Sequence, residues 1–223
     1  MWNMRTKQTI MIIGASGRMG SAISKSLSGG NYRLLLNGKN HDKINDLINE
    51  IDLTNPLADV EGIDCSFDGC WEADIIISAV PYLAEKEMAE RIKEVANQKI
   101  VISIANPLNK NYNGLLTAAD TSAAEELQKE LPNSKVIKAF NTTFAADFST
   151  PVINGQRTDA FIAGNDEDAL NNVAEIIHTA GFNPVIAGDL SVSRTLENMQ
   201  LLLVQLNKKY NYNELAGWKI LHN

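Results

Sequence analysis

The sequence has few residues that bind metals or carry redox chemistry, with two cysteines and three histidines among 223 residues. Four residues separate Cys65 from Cys70, whereas redox pairs are more often separated by two and structural zinc sites need four ligands. The three histidines are scattered along the chain. We therefore expect ordinary reduced thiols and no metal site.

The sequence also lacks long apolar runs and an excess of basic residues. No apolar run approaches the roughly 20 residues that cross a bilayer, and the N-terminal MWNMRTKQ has no apolar signal-peptide core. The formal net charge is -7 and the sequence pI is about 5.0, which disfavours nucleic acids and anionic membranes as partners. These absences predict a cytoplasmic protein with neither kind of partner.

Short β-branched runs alternate with helical patterns along the chain, which predicts a doubly wound, mostly parallel α/β sheet of the Rossmann type. The predicted strands are Thr9–Ile13, Arg33–Leu36, a weak strand at Ile63–Ser66, Asp74–Ala79, Ile100–Ile104, Lys135–Ala139, Asp159–Ala163 and Pro184–Ala187. No linker or repeat divides the sequence. We predict one domain over residues 1–223, with a core at about 9–190 and short C-terminal helices at about 191–223.

Three helical patterns are clear. Residues 82–96 place Ala84, Met88 and Arg91 on one face, and residues 165–181 begin at an Asn165 or Asp166 cap and stop at Gly181. The last helix, at about 193–207, looks apolar on more than one side. It must be buried against the domain itself or against a second subunit.

A glycine turn follows the first strand in the segment TIMIIGASGRMGSAI. Gly14, Gly17 and Gly20 allow a tight turn, a close approach of backbone to a pyrophosphate, and close packing of the next helix on the sheet. A glycine match alone is a weak signal, but this one lies between a strand pattern and a helical pattern. It predicts dinucleotide binding, and the alternative is a purely structural turn.

The residues after the second strand favour NADP over NAD. An acidic residue that would bind the ribose 2′-hydroxyl of NAD is absent until Asp42. Lys39 and Lys43 lie one helical turn apart and suit a 2′-phosphate, or they are solvated surface charges. Arg18, in the glycine turn, adds a third positive contact or points into water.

Ligands of such sheets bind beyond the carboxyl ends of the strands. The residues at those positions are Val80, Pro81, Ala105, Asn106, Asn141, Thr142 and Phe144. All of these residues are neutral. Of their neighbours in the sequence, we expect Phe140 in the core and Asp147 on a helix surface. With no side chain there to serve as a general acid, the site suits hydride transfer between two flat rings.

Several motifs resemble the NADP oxidoreductase, coenzyme F420-dependent family. They are GASGRMG, NGKNHDK, ADIIISAVP, KIVISIANPL, KVIKAFNTTFAADF and AGNDEDA…AGFNPVIAGDLSVSR, which together span Thr9 to about Glu197. The pattern is also similar to the NADPH-binding domain of six-transmembrane metalloreductases. Where the F420 reductases carry a His-Thr-Ile-Pro-type stretch, this chain has Asn141-Thr142-Thr143-Phe144.

The resemblance implies a place for each candidate residue. Ser16, Gly17, Arg18 and Met19 would lie at the pyrophosphate, Lys39 and Lys43 near the 2′-phosphate, Val80 and Pro81 near the nicotinamide ribose, and Asn141 to Ala145 against the nicotinamide and the second substrate. It also implies a homodimer closed by the C-terminal helices.

The sequence thus predicts an NADPH-dependent oxidoreductase that passes hydride to a small-molecule redox acceptor. The acceptor is F420-like or flavin-like, with support of ferric or cupric reduction as an extension, and no catalytic residue is assigned. The alternative is a redox sensor that binds NADP(H) without turning it over.

Overall fold

The computed structural model describes residues 7–222 and folds them around one large sheet. The strands are β1 (Gln8–Ile13), β2 (Tyr32–Asn37), β3 (Asp59–Gly62), β4 (Ile75–Ser78), β5 (Ile100–Ser103), β6 (Lys135–Lys138), β7 (Val152–Ile153), β8 (Gln156–Arg157), β9 (Asp159–Gly164) and β10 (Asn183–Gly188). The helices are α1 (Arg18–Leu27), α2 (His41–Thr54), α3 (Ser66–Glu72), α4 (Tyr82–Ile92), α5 (Ala123–Glu130), α6 (Glu167–Thr179) and α7 (Ser193–Tyr210). Two 3-10 helices lie at Ala145–Phe148 and Leu190–Val192.

The eight-stranded sheet has the order β10-β9-β6-β5-β4-β1-β2-β3. Its strands pair in parallel except β6 and β9, which pair antiparallel. No α-helix lies between these two strands, and a parallel connection needs such a crossover. The prediction of a doubly wound, mostly parallel Rossmann-like sheet is confirmed. The order reverses between β1 and β4, the place where such folds bind ligands.

Successive residues of β1 face opposite sides of the sheet, and each side is buried by its own helices. Ile10 and Ile12 pack in a cluster with residues of α1, α2 and α6. Met11 and Ile13 pack in a second cluster with residues of α3, α4 and α5. Helix α7 covers β9, where Leu196 lies against Phe161.

One strand prediction is wrong, and the predicted C-terminal helices end earlier than residue 223. Residues 63–66 are not a strand, since β3 occupies Asp59–Gly62 and Ser66 begins α3. An edge strand with mostly exposed residues carries no apolar run that sequence patterns detect. The C-terminal segment is helical only to Tyr210, and the rest of it, as far as residue 222, forms no helix. The predicted domain bounds also include residues 1–6 and 223, outside the described range.

Helix α6 begins and ends as its sequence indicates. The Asp166 carboxylate accepts the Ala169 N–H at 2.9 Å and caps the helix, whereas Asn165 accepts the Leu190 N–H at 3.0 Å. Gly181 follows the helix with φ +97°, a left-handed conformation that favours glycine. In residues 7–222, no helix has the length and apolar character needed to cross a membrane.

Candidate dinucleotide-binding site

The glycine turn between β1 and α1 is closely packed on backbone. Gly14 has φ +90°, and a Cβ there would lie 2.5 Å from the Ala79 carbonyl oxygen. A Cβ on Gly20 would overlap the Gly14 carbonyl oxygen and lie 2.7 Å from the Ala15 Cα. The turn therefore requires glycine at both positions, as its sequence spacing predicts.

Helix α1 starts without a side-chain cap. Gly17 is its N-cap residue, so the first backbone N–H groups of the helix, at Arg18, Met19 and Gly20, have no intrahelical acceptor. Together with the positive end of the helix dipole, these groups suit a phosphate. Gly17 is exposed and Met19 is half-buried, so the turn is open to a ligand from one side.

The exit of β2 is joined to the glycine turn. The Asn37 carbonyl oxygen accepts the N–H groups of Gly14 and Ala15 at 2.8 and 2.9 Å. The Asn37 side chain donates to the Ile63 carbonyl oxygen at 2.8 Å. Ser16 lies so close to Gly38 that a Cβ on Gly38 would collide with its hydroxyl. This contact places Ser16 beside the basic segment that follows β2.

A hollow of about 570 Å³ opens beside the exit of β2. Three basic side chains line it, Lys39, His41 and Arg91, together with Ser66 and Cys65. His41 Nδ1 lies 3.1 Å from the Asp64 carboxylate, and Arg91 pairs with Glu87 on α4. Lys39 is exposed and is the predicted 2′-phosphate residue that the hollow contains.

Lys43, the other predicted 2′-phosphate residue, does not line this hollow. It is exposed in the first turn of α2, where its backbone N–H donates to the Asn40 side chain at 2.9 Å. A narrower hollow of about 110 Å³ has Lys39 and Arg91 among its lining residues and includes Gly14, Val80 and Met88. The two hollows therefore join the β2 exit to the glycine turn and the β4 exit.

Arg18 forms an ion pair that its sequence position does not predict. Its guanidinium pairs with the Glu214 carboxylate, and this hydrogen-bonded pairing raises the pKa of Arg18 above its ordinary value. The Arg18 side chain remains 73% exposed. The segment after α7 therefore lies against the glycine turn and supplies it with a negative charge.

The exits of β5 and β6 meet through two amides. Asn106 donates to the Asn141 carbonyl oxygen at 2.8 Å, and the Asn141 side chain donates back to Asn106 Oδ1 at 3.0 Å. Asn141 Oδ1 and Thr142 Oγ1 are buried and have no hydrogen-bond partner among the described residues. Unpartnered buried polar atoms are uncommon, and these two belong to the predicted substrate segment.

The residue that precedes this amide pair has an unusual backbone. Phe140 has φ +58° and is fully buried, as the core prediction requires. Its ring packs on Phe148 at 5.6 Å between centroids, and Phe148 packs edge-on against Phe182. This packing holds the chain in a costly conformation where it turns into the predicted substrate segment.

The surface interpretation of Asp147 is wrong. Its side chain is fully buried and accepts the Phe144 N–H at 2.7 Å. Burial raises the pKa of Asp147 to about 6, with the Phe144 hydrogen bond opposing the shift. Asp147 lies in a 3-10 helix of four residues. This helix is too short for sequence periodicity to show which of its residues are buried. It fixes the turn that presents Phe144 and Ala145, both half-buried.

The remaining predicted residues border the same edge of the sheet. Val80 is half-buried and lines the narrow hollow, and Pro81 is the exposed N-cap residue of α4. Ala105 is 5% exposed, and its carbonyl oxygen accepts a hydrogen bond from the Lys138 ammonium group.

Sequence reasoning did not assign Asn37, His41, Ser66 or Arg91 to the site. The sequence does carry a signal for Arg91, because this cation shares a helix face with Ala84 and Met88. Asn37 ends β2, His41 begins α2 and Ser66 begins α3, and only the fold brings them together. No local sequence pattern marks these three residues as members of a binding site.

A reversal of strand order, a glycine turn and an uncapped helix start at one sheet edge define a Rossmann-type dinucleotide-binding protein. Residues 9–107 match the sequence model of the family described as NADP oxidoreductase, coenzyme F420-dependent, and the chain belongs to this family.

The relatives support this membership over most of the chain. The F420-dependent NADP reductase of Methanocaldococcus jannaschii is 29% identical over 213 residues, which cover 90% of this chain and 93% of that protein. The enzyme of the same description from Methanothermobacter marburgensis is 30% identical over 159 residues, 67% of this chain and 69% of that protein. The structure of a proposed F420-dependent NADP reductase from Arthrobacter sp. FB24 has a TM-score of 0.83 at 20% identity, covering 96% of this chain and 100% of that one.

The second predicted resemblance is more distant. Rat metalloreductase STEAP3 is 30% identical over 122 residues, which are 55% of this chain and 22% of that protein. The predicted family and the predicted class of NADP-dependent oxidoreductase are confirmed, with NADP(H) and F420 as the reactants that the family description prints. The individual site residues and the homodimer stay predictions.

Proposed function

We propose that the chain transfers hydride between NADP(H) and a flavin-like or deazaflavin acceptor, within a single domain. The observation that carries the proposal is the order of features along one sheet edge. The basic hollow with Lys39 lies at one end, the uncapped start of α1 in the middle, and the Asn106–Asn141 pair at the other end. That order matches a 2′-phosphate, a pyrophosphate and a nicotinamide.

The residues present fit NADP(H). The first N–H groups of α1 would bind the pyrophosphate, with Ser16, Gly17, Arg18 and Met19 around it. Lys39, with Lys43 nearby, would pair with the 2′-phosphate dianion. The unpartnered atoms Asn141 Oδ1 and Thr142 Oγ1 suit an amide that both donates and accepts, which is the chemistry of the nicotinamide carboxamide.

The nicotinamide supplies or accepts the hydride when bound, and the protein orients it. Phe144 and Ala145 offer an apolar wall on which a second flat ring would stack, with Val80, Pro81 and Ala105 on the strand side. Excluding water and aligning the rings are the protein's contributions to such a transfer. A reduced flavin would pass electrons on to ferric or cupric ions, which extends the proposal to metal reduction.

Two measurements test the proposal. Fluorescence titration with NADPH and NADH should give tight binding of NADPH and weak binding of NADH. NADPH oxidation should then exceed the protein-free rate with F420 or a flavin as acceptor. Binding without oxidation of NADPH by any acceptor would favour the redox-sensor alternative, and no binding of either nucleotide would overturn the proposal.

The acceptor side has its own test. Phe144→Ala should lower kcat about tenfold or more while changing the NADPH Kd less than about twofold, because the ring is proposed to face the acceptor. Phe67→Ala is a matched control, because this phenyl ring lies in the hollow at the β2 exit, away from the proposed acceptor side. It should therefore not reproduce the selective loss of kcat. Equal losses of turnover and NADPH affinity in Phe144→Ala would contradict its placement.

We also propose that the chain forms a homodimer through α7 and the segment after it. Apolar side chains there remain exposed in the single chain, namely Leu202, Tyr210, Tyr212, Leu215, Ile220 and Leu221. Exposed apolar surface of this kind marks interaction sites. Light scattering coupled to size exclusion should give twice the 24.5 kDa chain mass, and Leu202→Glu should shift the protein toward one chain mass.

A further inference from the structure

A row of three buried polar side chains crosses the sheet below the candidate nicotinamide end. Ser78, Ser103 and Lys138 are the last residues of β4, β5 and β6, and they pair in register across the strands. All three are fully buried. Residues in register on neighbouring parallel strands face the same side of the sheet, which here is the side of α4, α5 and α7.

Two buried glutamates from different helices bind this row. Glu85 of α4 accepts the hydroxyls of Ser78 and Ser103 at 3.2 and 3.1 Å. Glu197 of α7 accepts the Lys138 ammonium at 2.7 Å and the first N–H of α5, at Ala123, at 3.0 Å. Lys138 and Glu197 are fully buried, and Glu85 is 4% exposed.

The row and the two glutamates together hold two carboxylates and one ammonium group, so the charges of this cluster do not balance when all are ionised. Lys138 of β6 and Glu197 of α7 pair directly, and Tyr82 of α4 donates to Glu126 of α5 at 2.7 Å. Glu85 interacts with Lys138, Glu197 and Tyr82, and the hollow beside it is also lined by Glu126, Lys86 and Glu130. The Oε2 atom of Glu85 has no hydrogen-bond partner among residues 7–222.

Burial raises the pKa of Glu85 to about 7, while Lys138 and the two serine hydroxyls oppose the shift and Glu197 adds to it. Glu85 is therefore mostly protonated below pH 6 and mostly ionised above pH 8. A buried charge acts over longer distances than an exposed one, because the interior screens it less.

The row lies directly beneath the strand exits that form the candidate site. Val80 follows Ser78 by two residues, Ala105 follows Ser103 by two, and Asn141 follows Lys138 by three. Lys138 also donates to the Ala105 carbonyl oxygen, which ties the row to the exit of β5. A charge change in the row therefore occurs next to the backbone proposed to face the nicotinamide.

We propose that Glu85 is a positioning residue that holds the ends of β4 and β5 and, when ionised, favours bound NADP⁺ over bound NADPH. This inference rests on the proposed function, since it takes the nicotinamide to lie at these strand exits. The oxidised ring carries a positive charge that the reduced ring lacks. A negative charge beneath it therefore stabilises the oxidised form selectively.

The test compares the Kd of NADP⁺ with that of NADPH at pH 6 and pH 8 by calorimetry. Titration of the 2′-phosphate affects both nucleotides alike and cancels in the ratio. In the wild type, Kd(NADPH)/Kd(NADP⁺) should rise about threefold between pH 6 and pH 8. In Glu85→Gln it should change by less than about 1.5-fold, because the amide never ionises.

A matched control lies on the neighbouring helix. Glu126→Gln removes a half-buried carboxylate of the same surroundings and should keep the wild-type pH dependence. The double variant Ser78→Ala/Ser103→Ala removes two hydrogen bonds that favour the ionised form, so the rise of the ratio should move to higher pH. This double variant tests the proposed effect of ionised Glu85 independently if Glu85→Gln does not fold.

Three outcomes overturn the inference: a ratio independent of pH in the wild type, the same pH dependence in Glu85→Gln, or no displacement of the rise in the serine variant. Failure of both nucleotides to bind at either pH would instead contradict the proposed function. The two failures are therefore distinguishable in one set of titrations.

Discussion

Asn106 and Asn141 exchange hydrogen bonds across the exits of β5 and β6, at 2.8 and 3.0 Å. Each side chain fixes the loop that carries the other, although 35 positions separate them in the sequence. The pair leaves Asn141 Oδ1 without a partner among the described residues. An arrangement of this kind holds one polar atom ready for a ligand.

The pair predicts non-additive kinetics. Asn106→Ala and Asn141→Ala should each lower kcat/KM for the acceptor reaction about tenfold, since either change releases both loops. The double variant should lose little more than one single variant, because residues in direct contact are coupled. Steady-state kinetics of the four proteins measure this, and fully additive losses would show that the two amides act independently.

Lys39 and Lys43 should differ in their effect on NADPH. Lys39 lines the basic hollow and Lys43 does not, so Lys39→Ala should weaken NADPH about tenfold, the equivalent of a charge-assisted contact of roughly 1.5 kcal/mol. Lys43→Ala should weaken it less. NADH titrations serve as the control, and an equal loss for NADH in Lys39→Ala would remove the 2′-phosphate assignment.

Glu214→Gln should tighten NADPH binding by about two- to fivefold, because an exposed ion pair is worth roughly 0.2–1 kcal/mol and its loss frees Arg18 for the pyrophosphate. The gain should shrink as salt rises. In an Arg18→Gln background the same change should have little effect. A gain of full size in that background would mean that Glu214 acts on the cofactor without Arg18.

Gly20→Ala should destabilise the protein by about 1–3 kcal/mol, since its Cβ would overlap the Gly14 carbonyl oxygen and backbone cannot move aside cheaply. Gly29→Ala is the matched control, because a Cβ there meets nothing within 4 Å. Thermal unfolding of the two variants measures the difference. Similar melting temperatures would contradict the tight packing of the turn.

Stability should depend on pH through Glu85. Its folded pKa of about 7 lies above the ordinary value of 4.5, so the folded state binds more protons than the unfolded state between these two values. The free energy of unfolding therefore falls as pH rises from about 4.5 to 7, by about 2–3 kcal/mol at most for this carboxyl.

Glu85→Gln removes that contribution. The variant should gain stability relative to the wild type as pH rises from 5 to 8, which urea unfolding at both pH values measures. Asp147 has a folded pKa raised to about 6, acts in the same direction and remains in both proteins. A stability difference that stays constant with pH would show that Glu85 is not protonated in the folded state.

Local patterns in the sequence predict much of the fold. Seven of the eight strand patterns, the glycine spacing and the Asp166–Gly181 helix boundaries follow from interactions within a few residues, and those features are found in the structure. Family motifs extend the prediction to the class of enzyme. The antiparallel return of β9 was not predicted, because pairing of distant strands leaves no periodic signal within either strand.

The sequence by itself determined the sheet type, the glycine turn and the neutral character of the strand exits that we propose face the acceptor, because each depends on residue type and short spacing. Only the tertiary structure decided that Asp147 is buried, that Arg91 joins Lys39 in one hollow and that Glu214 reaches Arg18. The same holds for the buried row beneath the strand exits. These relationships join side chains from separate elements, and the packing of those elements sets their burial and therefore their charge.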